Sequence, residues 1–398
     1  MIIINTLYEK KSIIILLVLI VFILSGCVPA KEYKAGNIIS SITEVPDEPK
    51  VTELPITELP ITELPIDSKT ELHNSKEGKP SEPSDDNSNI EDNEIIENNG
   101  IIEDRELSAL HINGIQIVDE YDNPVVLRGV STHGLQWYPQ YVNEETFRYL
   151  RDNWNVNLIR LAMYTDEGGY CTGANKEEML RIIDNGVNYA NNLDMYAIID
   201  WHILKDGDPI MHMGEAIDFF NKVSTKYANN KNVIYEICNE PNNVTYENSI
   251  KPYADEVIRT IRSNDSDALI IVGTPQWSQY IDEVIPNRIN DDNVIYAVHF
   301  YAATHREELR DKVVTALESG IPVIISECSI CNADGNQNID YSSGEEWMKL
   351  INKYQLSYVF WNLSNKDESS ALLKPSCDKL SGFTEEDLSD TGKYFVSK

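Results

Sequence analysis

Eight short apolar runs recur along the chain from about residue 127, and this rhythm constrains the fold more than any other feature. The runs lie near 127–132, 156–162, 195–201, 233–238, 268–273, 294–299, 322–327 and 357–361. Each is about strand length and lacks the polar alternation of a half-exposed strand, as expected for strands buried on both faces. Amphipathic helical patterns separate most of them, among them Glu177 to Asn192, Gly214 to Ala228 and Arg306 to Ser319. Strand and helix in alternation predict an α/β chain with a parallel sheet covered on both sides. Eight such units in about 290 residues predict a (β/α)8 TIM barrel. A doubly wound open sheet is the rival, but no G-x-G-x-x-G phosphate fingerprint follows the first run. Ahead of the barrel, 111–118 and 124–127 read as a short β-hairpin that turns around Asp119 to Asn123.

A barrel of this kind carries its chemistry at the C-terminal ends of its strands. The first run leads to His133 and Trp137. The second contains Arg160 and ends near Tyr164. The third ends in Asp200-Trp201-His202 and the fourth in Asn239-Glu240. Trp277 follows the fifth, His299-Phe300-Tyr301 close the sixth, Glu327 closes the seventh and Trp361 the eighth. A single His or Trp at a strand end is ordinarily just a partly buried side chain. Eight such ends in phase are hard to ascribe to packing.

The chemistry of the set points to sugar. Glu240 and Glu327 come from separate strands, and glycoside hydrolysis needs one carboxyl group on each side of the scissile bond. Aromatic side chains offer flat surfaces to pyranose rings. The chain has no H-E-x-x-H motif. His133, His202 and His299 are too scattered to read as a metal set, and no cofactor is expected. Cys328-Ser329-Ile330-Cys331 is a lone C-x-x-C without the second pair a zinc site needs. With Cys171, Cys238 and Cys377 it makes an odd, irregular set, read as buried thiols rather than a disulfide framework.

The run V-I-Y-E-I-C-N-E-P-N (233–242) holds two glutamates. Pro241 has no N–H for a ladder, so the strand should stop near Asn239. Glu240 then stands at the rim. Glu236 lies four residues deeper with the same parity, inside the barrel, where it needs a cationic or hydrogen-bonding partner. Arg160 is a candidate.

Residues 1–106 follow a different logic. Lys10 and Lys11 precede an apolar run from Ile13 to Leu24, which has signal-peptide length and is short for a membrane span. Leu24-Ser25-Gly26-Cys27 resembles a bacterial lipobox. The resemblance implies a signal peptide over 1–26, cleavage before Cys27, and lipidation of its thiol and new amino group. More than one acyl chain suffices for stable anchoring. Residues 27–106 read as a linker. A five-residue repeat with proline begins at Thr52-Glu53-Leu54-Pro55-Ile56 and runs to Ile66, so this part should be extended and stiff. From 28 to 106 the linker holds 20 acidic and 7 basic residues, a disorder-type balance suited to a spacer from the membrane. The whole chain has a net charge of −32, which argues against nucleic acid as a partner.

The stretches R-G-V-S-T-H-G-L-Q-W-Y (128–138), L-I-R-L-A-M-Y-T (158–165), A-I-I-D-W-H-I-L (197–204), V-I-Y-E-I-C-N-E-P-N, A-V-H-F-Y-A (297–302) and F-W-N-L-S-N-K-D-E-S-S-A-L (360–372) occur in this order. Through them the chain from about Leu107 to Lys398 resembles glycoside hydrolase family 5, in its bacterial endo-β-1,4-glucanase branch. The resemblance implies a retaining cellulase that cuts internal bonds of a β-glucan polysaccharide. By it, Glu240 matches the acid/base and Glu327 the nucleophile. Arg160 matches a residue that keeps the nucleophile ionised, and Asn239 the contact to the sugar 2-hydroxyl. His299 matches a neighbour of the acid/base and Tyr301 a neighbour of the nucleophile. His133 and His202 match groups lining the central subsite, and Trp361 the platform under the sugar beside the scissile bond. Trp137, Tyr164, Trp277, Lys366 and Glu368 match outer subsite contacts.

One departure stands out. The family follows its nucleophile with Trp-Gly, whereas this chain has Cys328-Ser329, so the loop there should be repacked. The expected protein is a monomeric cell-surface lipoprotein with its catalytic domain outside the cell. Mixed-linkage β-glucan, xyloglucan and mannan are alternative substrates for the same mechanism. A surface lipoprotein that only binds glycans would have lost one of the two glutamates, and both are present.

Overall fold

The computed structural model describes residues 107–398; the signal peptide, Cys27 and the linker lie outside the described residues. Two short antiparallel strands come first, β1 (His111–Asn113) and β2 (Gln116–Val118). Eight parallel strands follow: β3 (Arg128–Thr132), β4 (Leu158–Tyr164), β5 (Tyr196–His202), β6 (Val233–Glu236), β7 (Ile270–Val272), β8 (Val294–Tyr301), β9 (Val323–Ser329) and β10 (Tyr358–Leu363). They close into a barrel in the order β10-β3-β4-β5-β6-β7-β8-β9. The outer helices are α1 (Glu144–Trp154), α2 (Lys176–Asn191), α3 (Met213–Tyr227), α4 (Lys251–Arg262), α5 (Glu307–Glu318) and α6 (Tyr341–Tyr354), and the short α7 (Asp390–Val396) follows β10. After β7 a turn and a 3-10 helix (Ile281–Val284) replace a full helix.

Local chemistry sets the helix ends. Asn143 accepts from the Thr146 N–H at the start of α1, and Asn175 accepts from the Glu177 and Glu178 N–H groups at the start of α2. Acidic residues fill both first turns, where they face the positive end of the helix dipole. Asn155 ends α1 in a left-handed conformation that asparagine tolerates.

Strand alternation divides the core in two. Ile159, Leu161 and Met163 on β4 face outward and join the helices, as do Ala197, Ile199 and Trp201 on β5. Leu158, Ile198, Ile234, Ile271, Ile295, Ile324 and Val359 face inward and fill the N-terminal half of the barrel. Leu110 and Ile117 from the leading segment belong to this inner cluster, so β1 and β2 plug the barrel floor. The Asn293 side chain pins the plug: Oδ1 accepts from the Ile112 N–H at 3.0 Å and Nδ2 donates to the Leu110 carbonyl at 3.1 Å.

The expected hairpin is present but turns earlier. Its turn lies at Gly114-Ile115, with Asn113 opposite Gln116, and Gly114 has φ +64°. Gly at the first position of a two-residue hairpin loop supplies the positive φ that a tight connection demands. The segment expected as the second arm contributes a single bridge, Val118 to Pro124. The fourth barrel strand also ends sooner than expected, at Glu236. Its backbone bonding continues irregularly, with Ile237 N–H donating to Ile271 O and Asn239 N–H to Trp201 O.

Strand β9 holds one feature that alternation does not predict. Against β8, Ala297 pairs with Ile324 and His299 with Glu327. Against β10, Tyr358 pairs with Ile325 and Phe360 with Cys328. Both neighbours therefore see one extra residue in β9, a bulge that re-aims the side chains after it. A regular pleat would turn Ser326 inward and Glu327 outward. With the bulge, both reach the barrel interior: Ser326 contacts His299, and Glu327 contacts Arg160 and Tyr301.

Candidate active site

Above the apolar floor lies a layer of buried charge. Arg160 on β4 is fully buried, and its guanidinium is spent on neighbours from other strands. Nε donates to Glu236 Oε2 at 2.6 Å, and Nη1 to Glu327 Oε2 at 3.2 Å. Nη2 donates to Asn239 Oδ1 at 2.6 Å and lies 3.0 Å from Asp200 Oδ2. The partner that Glu236 required is thus Arg160, with His299 Nε2 3.9 Å from its other oxygen.

The two candidate carboxylates stand one level higher. Glu240 and Glu327 both line the rim and are buried. One oxygen of each and a ring nitrogen of His299 all lie within 4.8 Å of one another. Tyr301 Oη donates to Glu327 Oε1 at 2.7 Å. His299 Nδ1 is 3.0 Å from Glu240 Oε1, and its Nε2 is 3.0 Å from Ser326 Oγ.

The electrostatics follow from this layout. Burial raises the Glu327 carboxyl and the Glu240 charge adds to the rise, while His299, Arg160 and the Tyr301 hydroxyl pull it back, leaving it at about 6. Burial alone would lower His299. The nearby Glu236 carboxylate, the hydrogen bond with Glu240 and the charge of Glu327 overcome it, bringing His299 up to about 9. Burial also works against the Glu236 charge, yet Arg160 and His299 hold that carboxyl below its ordinary range.

The His202 ring is set by its neighbours. The Asn239 amide is oriented by Arg160 on its oxygen and by donation from Nδ2 to the Ile203 carbonyl at 3.0 Å. Nδ2 therefore also faces His202 Nε2 at 3.3 Å, which must accept. His202 carries its proton on Nδ1, 2.6 Å from Asp200 Oδ2. Burial and the Arg160 charge keep this ring far below its ordinary pKa, so it is neutral.

The aromatic residues gather beside the carboxylates. Trp361 stacks on His202 at 5.2 Å and 13°, and lies 5.2 Å from His133. Trp137 meets Tyr164 edge-on at 4.9 Å. Lys366 and Glu368 turn back toward His133: Lys366 Nζ is 3.2 Å from its Nε2 and 2.6 Å from Glu368 Oε2. Burial and the Lys366 charge bring His133 down to about 4. Trp277 stands apart from this cluster. It lines a cavity of about 520 Å³ together with Glu240, His299, Tyr301 and His305.

Cys328 packs in the outer core, among the residues between barrel and helices. Cys328 Sγ turns to the Val359 carbonyl at 3.3 Å. Cys331 is the thiol near the site, packed with Tyr164, Tyr301 and Trp361. Cys171, Cys238, Cys328, Cys331 and Cys377 are all free thiols, and Cys171 alone among them is only half-buried.

Asp200 and Ser326 belong to the site and were absent from the candidate residues. Asp200 had a signal, since it shares inward parity with His202 two residues on. Ser326 shares parity with Ile324, but its importance depends on where His299 lies in space. Removing the central cation tests the network. Arg160→Met should cost about 3–5 kcal/mol in denaturant unfolding at neutral pH, because it strands buried carboxylates. The loss should shrink at acid pH as those groups protonate.

The set Glu240, His299 and Glu327 has the donor types of a divalent-metal site. Its charge state is a poorer match: Arg160 already donates to Glu327, and His299 is held protonated through neutral pH. Two carboxylates facing across a rim, one held by two donors, are equipped for acid/base and nucleophilic work on a neutral substrate.

Comparison with known proteins identifies the family. The family described as Cellulase (glycosyl hydrolase family 5) matches residues 118–367. Endoglucanase A of Butyrivibrio fibrisolvens is 47% identical over 293 residues, covering 73% of this chain and 68% of that protein. Endoglucanase A of Evansella cellulosilytica is 43% identical over 278 residues, covering 69% of this chain and 56% of that one. The chain thus spans only part of the length of these curated relatives. The catalytic domain of Thermobifida fusca endoglucanase Cel5A, solved with cellotetraose, superposes with a TM-score of 0.70 at 33% identity, covering 73% of this chain and 97% of that domain. This chain belongs to glycosyl hydrolase family 5.

Proposed function

We propose that this chain is a retaining endo-β-1,4-glucanase acting on cellulose-type polysaccharides. The observation that carries the reading is the pair Glu240 and Glu327, close enough for direct attack and unequally held. Retaining enzymes keep their carboxyl groups about 5–5.5 Å apart, leaving no room for a water between carboxylate and sugar. The nearest oxygens here fall within 4.8 Å. Glu327 takes hydrogen bonds from Arg160 and Tyr301, both of which favour its ionised form. It is the nucleophile, and Glu240 is the acid/base.

In the first step the Glu327 carboxylate attacks the anomeric carbon while Glu240 gives its proton to the departing glycosidic oxygen. The bond to the leaving chain breaks as the glycosyl–enzyme ester forms. In the second step water attacks the same carbon, Glu240 takes its proton, and Glu327 leaves as carboxylate. Trp361, stacked on His202, is the platform for the sugar beside the scissile bond, with Asn239 at the 2-hydroxyl. His133, Trp137, Tyr164, Lys366 and Glu368 extend the surface on that side. Trp277 and its cavity receive the leaving portion. Relatives named endoglucanase support β-1,4-glucan as the substrate.

Residues 1–106 add a location to this reading. The lipobox at Leu24-Ser25-Gly26-Cys27 and the acidic linker support a lipid-anchored enzyme on the cell surface, held off the membrane by the linker. Expressed in a bacterial host, the native chain should fractionate with membranes, and Cys27→Ala should remove its labelling by a radiolabelled fatty acid.

Glu240→Gln and Glu327→Gln should each lower turnover of a soluble cellulose derivative by about 10³-fold or more, with thermal unfolding nearly unchanged. NMR of the first product of the wild-type enzyme should show the β-anomer; early α-anomer would overturn retention. The pH profile carries a second test. Attack requires ionised Glu327, so kcat/KM should fall as pH drops through about 6. Tyr301→Phe removes a hydrogen bond to the ionised form, which disfavours ionisation. The acid limb should then move upward by about one unit.

A further inference from the structure

His305 lies four residues past Tyr301 and has no part in the chemistry described above. Its backbone and ring are both fixed. The His305 N–H donates to the Tyr301 carbonyl at 2.8 Å, and the Tyr301 N–H donates back to His305 Nδ1 at 2.9 Å. The His305 carbonyl accepts from Trp347 Nε1 at 2.9 Å, and Trp347 stacks on Phe300 at 4.0 Å with parallel rings. The ring is thus clamped to the end of β8 from both sides.

This clamp determines the tautomer. A backbone N–H can only donate, so Nδ1 accepts, and in the neutral ring the proton must be on Nε2. Burial and the nearby His299 charge hold His305 down to about 4, so the neutral form persists at working pH. Nε2 has no protein partner among the described residues, and the side chain lines the cavity that holds Glu240 and Trp277. A single donor of known direction is therefore presented to that cavity.

We propose that His305 is a substrate-binding residue on the leaving-group side, donating from Nε2 to a hydroxyl of the glucosyl unit that Glu240 releases. The proposal rests on the glucanase reading, which makes the Glu240 cavity the leaving-group side. It assigns the two faces of one ring separate duties. Nδ1 supports the Tyr301 backbone, and Nε2 reads sugar. Gln276 and Asp334 line the same cavity and offer polar groups on its walls, while Trp277 and Tyr280 offer aromatic surface.

The test separates these duties by substrate. Cellopentaose places glucosyl hydroxyls on the leaving-group side, whereas p-nitrophenyl β-cellotrioside cleaved at its aryl bond places none there. His305→Asn keeps an acceptor near Nδ1 for the Tyr301 N–H and removes the distal donor. His305→Gln restores an N–H near the Nε2 position. The ratio of kcat/KM for cellopentaose to that for the aryl glycoside should fall about three- to tenfold in His305→Asn, the worth of one neutral hydrogen bond. It should recover at least partly in His305→Gln. An unchanged ratio overturns the proposal, whether both rates hold or both drop together, since a purely structural role through Tyr301 would lower both. A wild-type enzyme inactive on both substrates would instead remove the glucanase reading, and this proposal with it.

Discussion

The buried guanidinium of Arg160 is the interaction on which the rest of the site depends. It joins β4 to Asp200, Glu236, Asn239 and Glu327, which come from β5, β6, the segment after β6, and β9. A charge in the middle of a barrel is costly unless every donor is matched, and here the fork of Arg160 meets an acceptor in each direction. The apolar floor beneath it excludes water and strengthens each of these bonds. That layer is the foundation on which the rim residues are oriented.

From this foundation the proton inventory of the site can be read. Two cations, Arg160 and His299, face four carboxylates, Asp200, Glu236, Glu240 and Glu327. Burial, and next the charge of Glu240, raise the proton affinity of Glu327, which lies at about 6. Arg160 and Tyr301 both donate to Glu327 and favour its ionised form. His299 couples the two levels, touching Glu240 with one ring nitrogen and facing Glu236 with the other.

Much of this was legible in the residues. The eight strands fall within a few positions of where apolar runs place them, because strands buried on both faces need continuous apolar sequence. Glu240, Glu327, His299 and Tyr301 meet at one rim, as their strand-end positions imply, with Arg160 beneath them. Less was legible where geometry depends on neighbours. The leading hairpin turns at Gly114 rather than around Asp119 to Asn123, since a two-residue loop with Gly at its first position closes more tightly than a longer loop. Its role as a barrel plug follows from Leu110 and Ile117 meeting the inner cluster. Asp200 and Ser326 acquire their places only once His202 and His299 are located in three dimensions.

The sequence by itself determined the number and type of strands, the residues at their ends, and the kinship to glycosyl hydrolase family 5. These depend on local apolar pattern and on residue identity, both of which are written along the chain. Only the tertiary structure decided that Glu327 points inward. Alternation along β9 would turn it out with Ile325, and the extra residue seen by both β8 and β10 reverses that. Likewise it decided that Glu236 serves Arg160 and that His305 offers Nε2 rather than Nδ1 to the cavity. Register between strands and the tautomer of a ring are properties of pairs of distant residues, and a linear pattern carries no record of the pairing.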